Sequence, residues 1–177
     1  MKNKFLLIFL LSSFTAFPLL AQYNNWAVGF QLVEPSGINA RKYFGENKAL
    51  DVSFGTYGLF YGRDRKYRKG YYQNAGFSLR ATYLWHTSLF KKEQLRAYYG
   101  FGGQINSRRY YFDSRNAPGL KEYDNSIALG GAGVAGAEYF VSSSPLSIFL
   151  ETGLYVELVP AIFYLHPQAS IGVRFNF

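Results

Sequence analysis

Two histidines, no cysteine and 11 carboxylates set the limits of the chemistry open to this chain of 177 residues. Without cysteine there is no thiolate nucleophile, no thiolate metal site and no disulfide framework. His86 closes one alternating segment and His166 falls in a later connection, so the pair is expected at opposite ends of the fold. That separation speaks against a shared metal site or a histidine dyad. A nucleophilic triad needs a serine beside a histidine and an acid. Ser170 follows His166 by four residues, about 13 Å along a strand, and shares neither position nor face with an outward-pointing dyad. The stretch 130–136, GGAGVAG, has the glycine content of a phosphate loop but lacks the GK[ST] and the helix pattern that should follow. Glycine there is expected to make room for crowded neighbours. The ionisable groups with a regular placement are Arg41, Asp51, Arg80, Arg96, Glu138, Glu151 and Arg174, each in the middle of an alternating segment. Paired carboxylates can serve as acid and base, but four bases beside three acids point to mutual neutralisation. No catalytic residue, metal ligand or cofactor is expected.

The elements that hold these charges are eight segments of period-two patterning that begin after Asn25. The first puts Trp26, Val28, Phe30 and Leu32 on one face and Ala27, Gly29 and Gln31 on the other. The second sets Ile38, Ala40 and Phe44 against Asn39, Arg41 and Tyr43; the third sets Leu50, Val52 and Phe54 against Asp51, Ser53 and Gly55. The fourth and fifth oppose Phe77, Leu79, Ala81, Tyr83 and Trp85 to Ser78, Arg80 and Thr82, and Leu95, Ala97, Tyr99 and Phe101 to Arg96, Tyr98, Gly100 and Gly102. The sixth, Ile127 to Phe140, is blurred by glycine and alanine, with Ile127, Leu129 and Tyr139 opposite Glu138. The seventh and eighth place Glu151 and Arg174 opposite Leu150 and Val173. Each segment has the length of a strand that crosses a bilayer at a tilt. Connections 45–48, 87–93 and 141–145 are short, whereas 58–74, 106–126 and 157–167 are long; Glu34–Gly37 is a tight turn where a long loop is due. Short turns at one end and long loops at the other describe an all-β fold, an eight-stranded antiparallel transmembrane β-barrel.

Composition agrees. Charged residues make up 17% and aromatics 20%, with 16 Tyr and 17 Phe, at a mean hydropathy of −0.10. That is too polar for a bundle of membrane helices, and poorer in charge than the about 25% of soluble domains. Residues 1–21, MKNKFLLIFLLSSFTAFPLLA, combine Lys2 and Lys4 with the apolar run from Phe5 to Leu11, the layout of a secretory signal peptide cleaved after Ala21. Residues 22–177 then form the barrel domain.

The polar face carries small residues and balanced charge, which suits the inside of a narrow membrane barrel better than the surface of a soluble one. Eight strands leave a lumen just wide enough for side chains to fill it, and buried ions there must pair. The seven charges above are therefore expected to form a plugging network rather than a conducting pore. Trp26, Phe44, Tyr83, Trp85, Tyr99, Tyr139 and Phe177 fall where interfacial girdles belong. Lys42, on the lipid-facing parity near a strand end, can snorkel to the interface.

The final residues GVRFNF alternate and end in phenylalanine. Such a strand resembles the C-terminal signal read by the bacterial barrel-insertion machinery, which marks Phe175 and Phe177. With the signal peptide and the eight strands, the chain resembles the small OmpA/OmpX/OmpW-type outer-membrane barrels. EPSGINARKYF and AGAEYF…SPLSIFLETG resemble those of the Bacteroidota type. The resemblance implies a bacterial cell outer-membrane location and a structural or interaction role. Loop 58–74 holds Arg63, Arg65, Lys66, Arg68 and Lys69 among tyrosines, a candidate anion-binding loop. At a cell surface the phosphates of lipopolysaccharide are the nearer anion than nucleic acid. Loop 106–126 adds basic and acidic residues that nearly cancel, and extends the wall or meets a partner. Expected partners are outer-membrane lipid, lipopolysaccharide, the insertion machinery and an outer-membrane protein, with no nucleic acid. A lipid-modifying enzyme and a small transporter of hydrophobic ligands are the alternatives.

Overall fold

The structure, a computed structural model, describes residues 25–58, 65–68, 70–74, 76–113 and 121–177. The proposed signal peptide, together with Arg63 and Lys69, lies outside them. Ten strands follow one another: β1 (Trp26–Val33), β2 (Ser36–Phe44), β3 (Lys48–Tyr57), β4 (Lys66–Tyr67), β5 (Gly70–Asn74), β6 (Gly76–Leu89), β7 (Lys92–Asp113), β8 (Lys121–Phe140), β9 (Leu146–Val159) and β10 (Tyr164–Asn176). Eight of them close a ring in the order β1-β2-β3-β6-β7-β8-β9-β10, every pairing antiparallel, with β10 returning to β1. β4 and β5 form a small hairpin that pairs with the far end of β7.

Closure follows from register. The cross-strand partners run Trp26, Lys42, Leu50, Tyr83, Phe101, Gly133, Leu154 and Pro167. Pro167 lies on β10 above the last β1 partner, Ser170. This stagger tilts the strands to the barrel axis, by about 40° for a ring of this size.

Period-two patterning sets the two faces. Along β10, Leu165, Pro167, Ala169, Ile171, Val173 and Phe175 are exposed, while His166, Gln168, Ser170, Gly172 and Arg174 are buried. The same inversion holds in the other ring strands: large apolar side chains such as Phe30, Ile38, Phe54 and Leu150 face outward, and arginines and carboxylates face inward. Gly136 and Gly172 make that interior possible. A Cβ at Gly136 would fall 2.6 Å from the Tyr98 ring, and one at Gly172 the same distance from Phe149.

The rims differ. At the lower rim, which carries Trp26 and Phe177, the turns are short. β6 and β7 are joined by Phe90 and Lys91, both at positive φ (54° and 56°), the backbone of a two-residue hairpin usually filled by Asn-Gly. At the upper rim, β1 and β2 turn at once through Glu34 and Pro35, whereas β7 and β8 pair on to Asp113 and Lys121. Segment 106–126 is thus largely a β-ribbon that extends the wall, not a loop. Segment 58–74 contains the β4–β5 hairpin. His166 sits in β10, not in a connection, and points inward.

Candidate functional site

The lower half of the lumen gathers three arginines and three carboxylates from six strands. Arg41 (β2) places Nε 2.8 Å from Asp51 Oδ2 and Nη1 2.8 Å from Glu138 Oε2. Arg174 (β10) reaches Glu138 Oε1 at 3.1 Å and Asp51 Oδ2 at 3.4 Å. Arg80 (β6) pairs with Glu151 (β9), whose other oxygen accepts from Tyr98 Oη at 3.0 Å. Ser147 and Tyr43 donate to Glu138 at 2.6 and 3.2 Å, and Ser53 donates to Asp51 at 3.0 Å. Arg174 stacks 3.4 Å from the Phe149 ring and Arg41 4.4 Å from that of Tyr98. All six charged side chains are at most 4% exposed. Burial of this kind needs partners at hydrogen-bond distance, because a lone ion in such a site costs several kcal/mol.

Arg96 stands apart from the six. It has the inward parity but lies at the lower rim, donates to the Glu46 carbonyl at 3.3 Å and stacks on Phe140 at 5.4 Å. The sequence count of four bases to three acids becomes three to three in the buried cluster. His86 borders that cluster, its ring 5.7 Å from Tyr43 and 5.4 Å from Tyr98. Above it a neutral belt follows: Gln168 donates to Gln104 at 3.1 Å, and Gln104 donates to Asn106 at 2.9 Å and Ser78 at 3.2 Å.

The upper mouth holds a second centre that the sequence reading did not single out. Arg108 of β7 is buried, ion-paired to Glu157 at 2.8 Å. Five tyrosine rings surround its guanidinium at 4.8 to 5.8 Å: Tyr57, Tyr67, Tyr72, Tyr155 and Tyr164. They come from β3, β4, β5, β9 and β10, so the hairpin folds inward across the mouth. Tyr67 donates to Glu157 at 2.6 Å. Burial, reinforced by that carboxylate, pushes the Tyr67 phenol well above its ordinary pKa and keeps it a donor. His166 Nε2 stands 2.6 Å from Glu34 Oε2, with Tyr57 against the ring at 4.5 Å.

The residues of the basic loop are dispersed by this packing. Arg65 stacks on Tyr164 at 5.0 Å, and Arg68 donates to Tyr110 at 3.1 Å; Lys66 is exposed. His166 and Ser170 do share the inward face, but four residues of strand, about 13 Å, separate them. His86 and His166 lie at opposite ends of the lumen. Among the described residues no three His, Asp or Glu side chains are placed to hold a metal ion. Phe175 and Phe177 face outward at the lower rim, 6.4 Å apart. Outside the wall, Lys42 lies 4.9 Å over Trp26 and 5.6 Å over Phe44. Trp85 stacks on Tyr99 at 5.8 Å.

What the interior can do chemically is seal. The charges of its lower cluster cancel, its aromatic rings fill the upper mouth, and its polar atoms bond across the axis. The chain is similar to the solved structure of Neisserial surface protein A, NspA, with 14% sequence identity, a TM-score of 0.49, and 86% of this chain and 94% of that chain covered. No protein-family model and no curated protein matches the sequence.

Proposed function

We propose that the protein is a sealed barrel of a bacterial outer membrane, with a structural and interaction role carried by its upper rim. The carrying observation is the inversion of its surface. A ring with aliphatic and aromatic residues outside and a neutral ionic core inside fits an apolar surrounding phase. On this reading residues 1–21 direct export and are removed, and the strand ending in Phe175 and Phe177 is what the insertion machinery reads. The upper rim faces outward from the cell, where lipopolysaccharide and other outer-membrane proteins are the available partners. Membership of the small OmpA/OmpX/OmpW-type barrels of the Bacteroidota belongs to the same proposal. The polar lumen favours a non-enzymatic, non-conducting role over a conduit for hydrophobic ligands.

The test is migration and fractionation. Unboiled protein is expected to run at a different gel position from boiled protein and to sediment with the outer membrane. Identical migration, together with solubility in the absence of detergent, overturns the proposal.

A further inference from the structure

The β7–β8 ribbon sorts its side chains by face in a way the sum of its charges conceals. Facing outward above the apolar band are Arg109, Tyr111, Lys121 and Tyr123. Glu122 and Asp124 have the opposite parity, and Asp124 accepts from Tyr110 at 2.7 Å. Arg109 lies 4.9 Å over the Tyr123 ring and Lys121 4.2 Å over that of Tyr111. Position 113 has the same outward parity, and Asp113 is in register with Lys121 at the ribbon's tip, so this face carries two cations to one acid. Two cations are thus presented on aromatic rings, toward whatever surrounds the barrel.

Directly below, the same two strands carry Ile105 and Ile127, and then the wall recedes. The expectation that glycines 130–136 relieve internal crowding holds for Gly130 and Gly136, which face inward against Tyr155 and Tyr98. Gly131 and Gly133 face outward instead, and a Cβ on either would meet nothing closer than 3.9 Å. A groove of about 420 Å³ lies over Gly133 and Ala135, bordered by Tyr99 and Phe101 on one side and Thr152 and Leu154 on the other.

The two features are matched in height. Arg109 stands eight residues above Phe101, the partner of Gly133. Eight residues rise about 26 Å along a strand, or about 20 Å along the membrane normal at this tilt. That is half of a bilayer about 40 Å thick with its headgroups.

We propose that this face binds a phosphorylated lipid of the outer leaflet, its phosphate at Arg109 and Lys121 and one acyl chain in the groove over Gly133 and Ala135. The proposal rests on the outer-membrane reading above and gives it a site other than loop 58–74. Charge complementarity selects an anionic head, and the groove supplies dispersion contacts on three sides of a chain.

The test uses full-length folded protein in maltoside micelles, with bis-phosphorylated lipid A as the probe and native mass spectrometry as the readout. Wild type is expected to bind it and to bind dephosphorylated lipid A more weakly. The double variant Arg109→Ala/Lys121→Ala is expected to bind about 10- to 30-fold more weakly. Gly133→Leu, which points into open space and fills the groove, is expected to lose about tenfold, roughly the burial of two methylenes. Lys66→Ala is expected to bind as wild type does. Absence of binding by wild type, equal binding by the double variant, equal binding by Gly133→Leu, or an equal loss in Lys66→Ala each overturns the site. All variants are checked for heat-modifiable migration. If wild type lacks it, the barrel reading falls as well; if wild type keeps it while binding is insensitive to these changes, only the lipid site falls.

Discussion

Glu138→Leu is expected to destabilise the barrel by about 3–5 kcal/mol, the range for removing one partner of a buried ionic group. Glu138 accepts from Arg41, Arg174, Tyr43 and Ser147, so its loss strands parts of two arginines at once. The upper end of the range is therefore the better expectation. Urea unfolding in lipid vesicles, followed by the fluorescence of Trp26 and Trp85, measures it. Removing a matched charge separates neutrality from packing. In Glu138→Leu/Arg174→Leu, Arg41 keeps Asp51 and Arg80 keeps Glu151. That double variant is expected to recover most of the loss, because an apolar replacement of a whole ion pair is often close to neutral. If the single variant unfolds with wild-type stability, the lumen is not held by these charges.

Arg108→Met is expected to open the upper mouth while leaving the ring intact. The substitution leaves Glu157 buried without its cation and removes the guanidinium from among five tyrosine rings. Two of those rings, Tyr67 and Tyr72, pack the β4–β5 hairpin into the mouth, beside the pairing of β5 with β7. A loss of about 3–5 kcal/mol there raises the population of the opened hairpin by at least a hundredfold. Trypsin cleavage after Lys66 and Arg68 reports it, with heat-modifiable migration as the check that the ring survives. Arg108→Lys keeps the charge and is expected to fall between the two. Hairpin protection unchanged in Arg108→Met would show that the cage does not hold it.

The parity of each ring strand was legible because one face had to be apolar: Phe30 and Val28 alternate with Gly29 and Gln31 whatever the rest of the chain does. Pairing of Arg41 with Asp51 was legible for a related reason, since both lie mid-strand on the inward face of adjacent segments. Arg96 shows where that logic stops. Parity assigns a face but not a height, and Arg96 lies low enough to reach the Glu46 carbonyl at the rim. The upper ribbon was read as loop because a strand that leaves an apolar band loses its apolar face. Its alternation continues as Arg108, Tyr110 and Phe112 against Arg109, Tyr111 and Tyr123 across the pair, a signal without hydrophobic contrast. The tyrosine cage brings together residues 57, 67, 72, 155 and 164 around residue 108. No local spacing encodes that meeting. The hint present was the repeated inward parity of tyrosine near the upper strand ends, at Tyr57 and Tyr155. The glycines of the sixth segment were assigned to a single purpose, though alternate positions on a strand serve opposite faces.

The absence of native cysteine makes the most direct measurement simple. Single cysteines introduced one at a time at positions 168, 170, 171, 173 and 175 of β10 can be spin-labelled in the protein reconstituted into lipid vesicles, and their collision rates with oxygen and with a water-soluble nickel complex compared. Strict alternation is expected: labels at positions 171, 173 and 175 meet oxygen from the lipid phase and exclude nickel, while labels at 168 and 170 meet little of either. Labels at 171, 173 and 175 that meet the nickel complex as freely as an unfolded chain does would place this face in water and contradict the membrane barrel.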